Sequence, residues 1–161
     1  QHRNHIVESE YSKVKVGMIL CSTGKIENCL VEPVNAPTID ESLPILRLSN
    51  KKKEKCVFGV YSGSKDIENH QVGGFGTNLN FKSKKKFSYV NGSGEGAILV
   101  NKETGVIENG DFIMTSSKAG IGCKSDNECF TNYTIAKASQ NLSDGIKNAD
   151  GTYLISCLYM L

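Results

Sequence analysis

The stretch Lys86-Phe87-Ser88-Tyr89-Val90-Asn91-Gly92-Ser93-Gly94-Glu95-Gly96-Ala97-Ile98-Leu99-Val100 decides the fold class. It places two apolar runs, 87–90 and 97–100, on either side of a segment in which alternate residues are glycine. A glycine loop that cradles a phosphate must open a helix, whose N-terminal N–H groups and dipole hold the anion. This loop leads instead into Ala97-Ile98-Leu99-Val100, a short run of β type. The reading is strand, glycine-rich turn, strand, and it sets nucleotide binding aside.

The same alternation of short runs and turn signals extends in both directions. Runs rich in Val, Ile, Phe, Tyr and Thr predict strands over 13–21, 28–31, 45–48, 56–61, 86–90, 97–101, 111–115, 133–139 and 153–159. Ser22-Thr23-Gly24, Ser62-Gly63-Ser64, Asn91-Gly92, Asn109-Gly110 and Asp150-Gly151 read as the turns between them. One helical turn is expected at Thr38-Ile39-Asp40-Glu41-Ser42-Leu43, with Thr38 as N-cap and Pro44 as the stop. No strand alternates with a long amphipathic helix, which argues against a parallel βαβ sheet. The expected fold is mainly β: a single-domain antiparallel barrel or sandwich with long loops and at most one short helix. A polar N-terminal arm over 1–12 precedes the β-rich domain over 13–161. Residues 64–82, with Gly73, Gly74 and Gly76, read as a long loop or projecting hairpin.

The 161 residues suit one domain, and 39% hydrophobic with 22% charged residues excludes a disordered chain. A net charge of +2 selects no partner. The lysines do cluster, at Lys51-Lys52-Lys53 with Lys55 and at Lys82 with Lys84-Lys85-Lys86. Beside apolar runs, such charges keep strand edges from pairing with other chains. The alternative is an anionic surface, but a nucleic-acid partner is not expected, because no basic helix or interleaved base-stacking aromatics accompany the lysines. No apolar stretch is long enough for a membrane helix, so no membrane partner is expected. The polar start reads as no remaining signal peptide, and Gln1 in place of an initiator Met leads us to expect a fragment, a tag-trimmed chain or a processed product of a longer precursor; Tyr159-Met160-Leu161, directly after an expected strand, fits a natural C-terminus.

Six cysteines, Cys21, Cys29, Cys56, Cys123, Cys129 and Cys157, lack C-x-x-C spacing, and His2, His5 and His70 do not complete a zinc set. No metal and no cofactor are expected. Cys123 and Cys129 bracket a polar loop and are the best local disulfide candidates, although a reduced intracellular chain is the preferred reading. The Asn-X-Ser/Thr triplets at Asn91, Asn132 and Asn141 have meaning only in a secretory pathway. Conventional enzyme motifs are absent from the sequence. The first twelve residues nonetheless concentrate hydroxyl and ionisable groups: His2, Arg3, His5, Glu8, Ser9, Glu10, Tyr11 and Ser12. Self-cleavage needs a hydroxyl near the scissile bond and a group to take its proton, and this segment holds both.

From Lys15 to Lys137 the order of motifs resembles the intramolecular chaperone (IMC) autoproteolytic domain of phage appendages and large-DNA-virus fibre proteins. The residues that carry the resemblance are Val16-Gly17-Met18-Ile19 before Ser22-Thr23-Gly24, Glu41-Ser42-Leu43-Pro44-Ile45 running into Leu48-Ser49, and Val57-Phe58-Gly59-Val60. They continue with Gly94-Glu95-Gly96, Glu108-Asn109-Gly110-Asp111-Phe112-Ile113, Gly120-Ile121-Gly122 and Asn132-Tyr133-Thr134-Ile135-Ala136-Lys137. The resemblance implies a C-terminal domain that forms a homotrimer, aligns the upstream fibre segment of the same precursor, and then cuts itself away. It implies a single-turnover peptidase at most, working in the virion or the infected-host cytoplasm. Asp111 and Lys137 match recurrent family positions. The family's cleavage motif is Asp-Tyr-Ala-Glu in type and precedes the first strand. Here Glu8-Ser9-Glu10-Tyr11 occupies that vicinity at a different spacing, which makes Ser9 the candidate nucleophile with Glu8 or Glu10 as proton acceptor. The alternative reading is a permanent virion surface or minor structural module, a trimer cap or host-attachment piece without protease activity. A carbohydrate-binding β domain and a metabolic enzyme rank below both.

Overall fold

The computed structural model describes residues 1–27, 35–39, 42–65 and 87–161. Among these residues there is no α-helix, and the order of strands is β1 (His2–Ile6), β2 (Ile19–Glu27), β3 (Leu43–Leu48), β4 (Val57–Lys65), β5 (Phe87–Asn91), β6 (Ser93–Val100), β7 (Phe112–Thr115), β8 (Gly122–Lys124), β9 (Ala136–Ala138), β10 (Ile146–Lys147) and β11 (Tyr153–Met160). Among the described residues there are also two 3-10 turns, Glu8–Glu10 and Leu142–Asp144. The expected mainly β fold is what the chain adopts.

Strands β1, β3, β2, β4 and β5 close a barrel in that order. The remaining strands form a sheet in the order β10-β11-β6-β8-β7-β9, and β11 also pairs with β9. The sheet's pairings therefore return on themselves through β11, β6, β8, β7 and β9. The expected antiparallel pattern holds except at one pair in each ring. β1 runs parallel to β3, with His5 opposite Ile45, and β6 runs parallel to β8, with Val100 opposite Gly122. The reason is arithmetic: a closed ring with an odd number of strands cannot alternate direction all the way round.

Two of the expected turns are bulges inside strands. Residues 22–24 lie within β2, where the register against β3 shifts between Ser22 and Ile26 and Gly24 takes φ +80°. Residues 62–64 lie within β4, where the register against β5 shifts between Tyr61 and Gly63. A bulge uses the same glycine freedom as a turn but bends a strand instead of ending it. Asn91-Gly92 makes no hairpin either; it carries the chain from β5 in the barrel to β6 in the second sheet. Asp150-Gly151 does turn a hairpin, between β10 and β11, with the Asn148 N–H donating to the Thr152 carbonyl at 2.8 Å.

The strand expected over 13–21 begins only at Ile19, because Gly17 takes φ +92° and breaks the extended run before it. Residues 1–12, read as a polar arm, contribute β1, in which Asn4, His5 and Ile6 are buried. The Ser88 hydroxyl donates to Asn4 Oδ1, which satisfies both groups inside the barrel wall. The strand expected over 28–31, the glycine-rich segment and the second lysine cluster fall outside the described residues, as does part of the expected turn at Thr38.

The barrel and the sheet share a core. Ile19 and Val60 of the barrel pack in one cluster with Ile98, Val100, Ile107, Ile113, Ile135, Leu142, Ile155 and Tyr159. Leu20, next to Ile19, belongs to the second cluster, with Ile6, Leu46, Leu48 and Val90. Successive strand residues point to opposite faces, so β2 is buried on both sides at its start. Backbone bonds follow the same line. The Ile19 N–H donates to the Gly120 carbonyl (2.8 Å), the Gly120 N–H to Ser49 (3.0 Å), the Ser49 N–H to Ile19 (3.1 Å) and the Leu99 N–H to Gly17 (3.0 Å).

Gly120 has no room for a side chain at this seam. Its φ is +73°, and a Cβ would lie 2.8 Å from Leu48 Cδ2. Gly92, by contrast, has its nearest neighbours at 3.7 Å and an unstrained backbone. Gly120→Ala is expected to lower stability by about 1–3 kcal/mol, and Gly92→Ala by well under about 1 kcal/mol, in urea unfolding.

Candidate functional site: a cavity beside the N-terminal turn

The first strand ends against β3, where the Val7 N–H donates to the Leu46 carbonyl at 2.9 Å. The chain then winds through the 3-10 turn Glu8–Glu10, held by the Glu10 N–H on the Val7 carbonyl at 2.9 Å. Beside this turn lies a cavity of about 540 Å³, with His5, Glu8, Tyr11, Thr23, Lys25 and Ile45 among its lining residues. The bulge in β2 makes one wall. The Thr23 hydroxyl donates to the Ile45 carbonyl at 2.7 Å across the missing ladder positions. His5 forms part of the floor, its ring 5.4 Å from that of Phe87. Neutral, basic and acidic side chains thus meet around a largely apolar space.

The three residues expected to carry cleavage are split by this geometry. Glu8 is exposed and lines the cavity. Glu10 turns the other way, and its Oε2 accepts the Leu48 N–H at 2.6 Å. Ser9 is exposed on the turn between them, and among the described residues no hydrogen bond joins its hydroxyl to either carboxylate. The turn presents a hydroxyl and a carboxylate side by side without coupling them. His5, Thr23 and Lys25 were missed as cavity residues, because only the β2 bulge and the parallel β1–β3 pairing bring them together.

Asp111 and Lys137 have structural partners. Asp111 Oδ2 accepts the Glu108 N–H at 2.8 Å and pairs with Lys124 Nζ at 3.0 Å, closing the Asn109-Gly110 turn. Lys137 lies over the Phe112 ring, 5.8 Å from its centre. Gly96 has a packing reason: a Cβ there would lie 2.4 Å from the Tyr159 ring. In the first lysine cluster, Lys53 pairs with Asp126 at 2.5 Å, which ties the loop to the second sheet. Cys123 is buried and Cys129 exposed, and both are free thiols, so the two disulfide candidates are not bridged.

A second polar cluster lies where β2, β3 and the loop before β4 meet. Glu54 is buried, and its carboxylate accepts from Arg47 Nη2 at 2.6 Å, the Asn50 N–H at 2.9 Å and the Cys21 thiol at 3.3 Å. Cys21, Glu54 and Cys56 place their ligand atoms within 4.8 Å of one another, the one donor set of this kind among the described residues. The Arg47 guanidinium already occupies the carboxylate, so a cation sits where a metal would need the oxygen. Burial works to raise the Glu54 carboxyl, but the bonds from Arg47, Asn50 and Cys21 outweigh it and hold it below the usual carboxylate range.

No family model, no curated protein and no solved structure matches this chain.

Because the Glu54 carboxyl is lowered on folding, its contribution is complete above the unfolded value, about pH 4.3, and is lost as pH falls through the lower folded value. Glu54→Gln is expected to cost about 1–3 kcal/mol at pH 7 and progressively less toward pH 3, measured as the difference between the two proteins' melting curves.

Proposed function

We propose that the chain is an assembly domain of a viral fibre or appendage protein, working as a homotrimeric clamp on the fibre segment of its own precursor. The observation that carries this reading is where the motif residues fall. Gly17-Met18-Ile19, Leu48-Ser49 and Gly120-Ile121 lie far apart in the chain and meet in one network of backbone bonds at the seam. Glu108-Asn109-Gly110-Asp111 closes the turn before β7, and Gly96 packs under Tyr159. Several of the motif residues that resemble the IMC domain are therefore positions the architecture uses. That supports reading the resemblance as one of fold. A clamp of this kind answers a kinetic need, since three fibre strands must find register through non-local contacts alone.

Of the two roles weighed for such a domain, the permanent cap has a specific observation in its favour. Glu10 is engaged by the Leu48 N–H, and Ser9 has no carboxylate bonded to it among the described residues. The clamp therefore acts by association, and release by a self-cleaving peptidase step is the secondary reading. Its place of work is the virion, or the infected-host cytoplasm during assembly.

Sedimentation equilibrium on the purified chain is expected to give three chain masses, and a monomer at every concentration would overturn the clamp. In the full precursor, mass spectrometry is expected to find no cut that depends on Ser9. A cut near Gln1 that Ser9→Ala abolishes would replace the permanent cap with the self-releasing chaperone.

A further inference from the structure

The Arg47–Glu54 cluster holds two thiols that the assembly role does not use. We infer that Cys56 and Cys21 form a peroxide-reactive thiol pair, with a hydroperoxide as oxidant, Cys56 as the sulfur attacked first and Cys21 as the resolving sulfur. The geometry assigns the two roles differently. Cys56 is partly exposed, at the end of the loop that carries Lys51, Lys52, Lys53 and Lys55. Arg47 Nη2 donates toward its sulfur at 3.7 Å, so the Cys56 side chain is held at the open side of the cluster. Cys21 is 0% exposed and out of reach of a solute. Its thiol donates to Glu54 at 3.3 Å, and burial, followed by the neighbouring Glu54 carboxylate, pushes it strongly toward the protonated form.

The β2–β4 ladder makes the two sulfurs neighbours. The register shifts between Leu20 and Cys21, which sets Cys21 opposite Val57, and the Ser22 N–H donates to the Cys56 carbonyl at 2.8 Å. The two sulfurs lie within 4.8 Å, so side-chain rotation is the main movement a bond between them requires. In the first step the Cys56 thiolate attacks one peroxide oxygen. The O–O bond breaks, the departing oxygen leaves as water or alcohol after taking a proton from solvent, and Cys56 becomes a sulfenic acid. In the second step the Cys21 sulfur bonds to the Cys56 sulfur, the S–O bond breaks, and the Cys21 proton leaves with that oxygen as water. The disulfide is two electrons more oxidised than the thiol pair, and a dithiol restores both thiols by exchange. Cys123 and Cys157 lack a comparable arrangement: both are buried, and burial alone pushes the Cys157 thiol up to about 12.

The test is independent of trimer formation. The reduced full chain is treated with stoichiometric hydrogen peroxide and analysed by intact mass and non-reducing peptide mapping. The expected result is a loss of about 2 Da in a Cys21–Cys56 linked peptide, reversed by dithiothreitol. Cys21→Ser is expected to leave a sulfenic acid at Cys56 that dimedone traps, Cys56→Ser to abolish both products, and Cys129→Ser to change neither. A linkage through another cysteine, an unchanged thiol count in the folded chain, or stoichiometric zinc retained through Cys56 would each overturn the assignment. Circular dichroism on each variant confirms that it is folded before the reaction is read.

Discussion

The structure depends on the start of β2 being buried on both faces. Ile19 faces the core it shares with the second sheet and Leu20 the barrel interior, and both are fully buried. Such a strand leaves its backbone groups no water, so each must be bonded within the protein. The Gly120 carbonyl takes the Ile19 N–H, and Ser49 is held between Ile19 and Gly120. Gly17 and Gly120 allow this because their positive φ angles let the backbone bend without a side chain in the way. The barrel and the sheet are one body for that reason.

Much of the architecture was legible because most of the strands obey simple patterning. β7 and β11 fall close to their expected positions, and the absence of amphipathic periodicity ruled out a helical layer. The failures have physical causes. β1 was invisible because Asn4 and His5 are polar residues inside a wall, where Asn4 accepts the Ser88 hydroxyl and His5 lies against the Phe87 ring. Ser22-Thr23-Gly24 and Ser62-Gly63-Ser64 look like turns, since a bulge draws on the same residues. The parallel pairs follow from ring closure, which no local window of sequence contains.

The candidate site was legible only in part. The crowding of Glu8, Ser9 and Glu10 marked the right neighbourhood, beside a cavity, but the 3-10 turn sends Glu8 and Glu10 to different surroundings. Glu10 ends up bonded to the chain itself at Leu48. The Cys21, Arg47, Glu54 and Cys56 cluster gave no spacing signal, because strand register rather than sequence separation assembles it. That cluster and the seam adjoin through Glu54, whose N–H donates to Thr115 Oγ1 of the second sheet at 2.9 Å. Chemistry at the thiols and the integrity of the joint therefore share a residue.

Native-state hydrogen exchange at the amides of Ile19, Leu99 and Gly120 tests the central claim, that the seam makes barrel and sheet one cooperative unit. These amides are expected to exchange only through global unfolding, with the same free energy and denaturant dependence as the slowest amides of β6 and β11. Exchange at the seam through a smaller, local opening, with the two sheets protected independently, would contradict it.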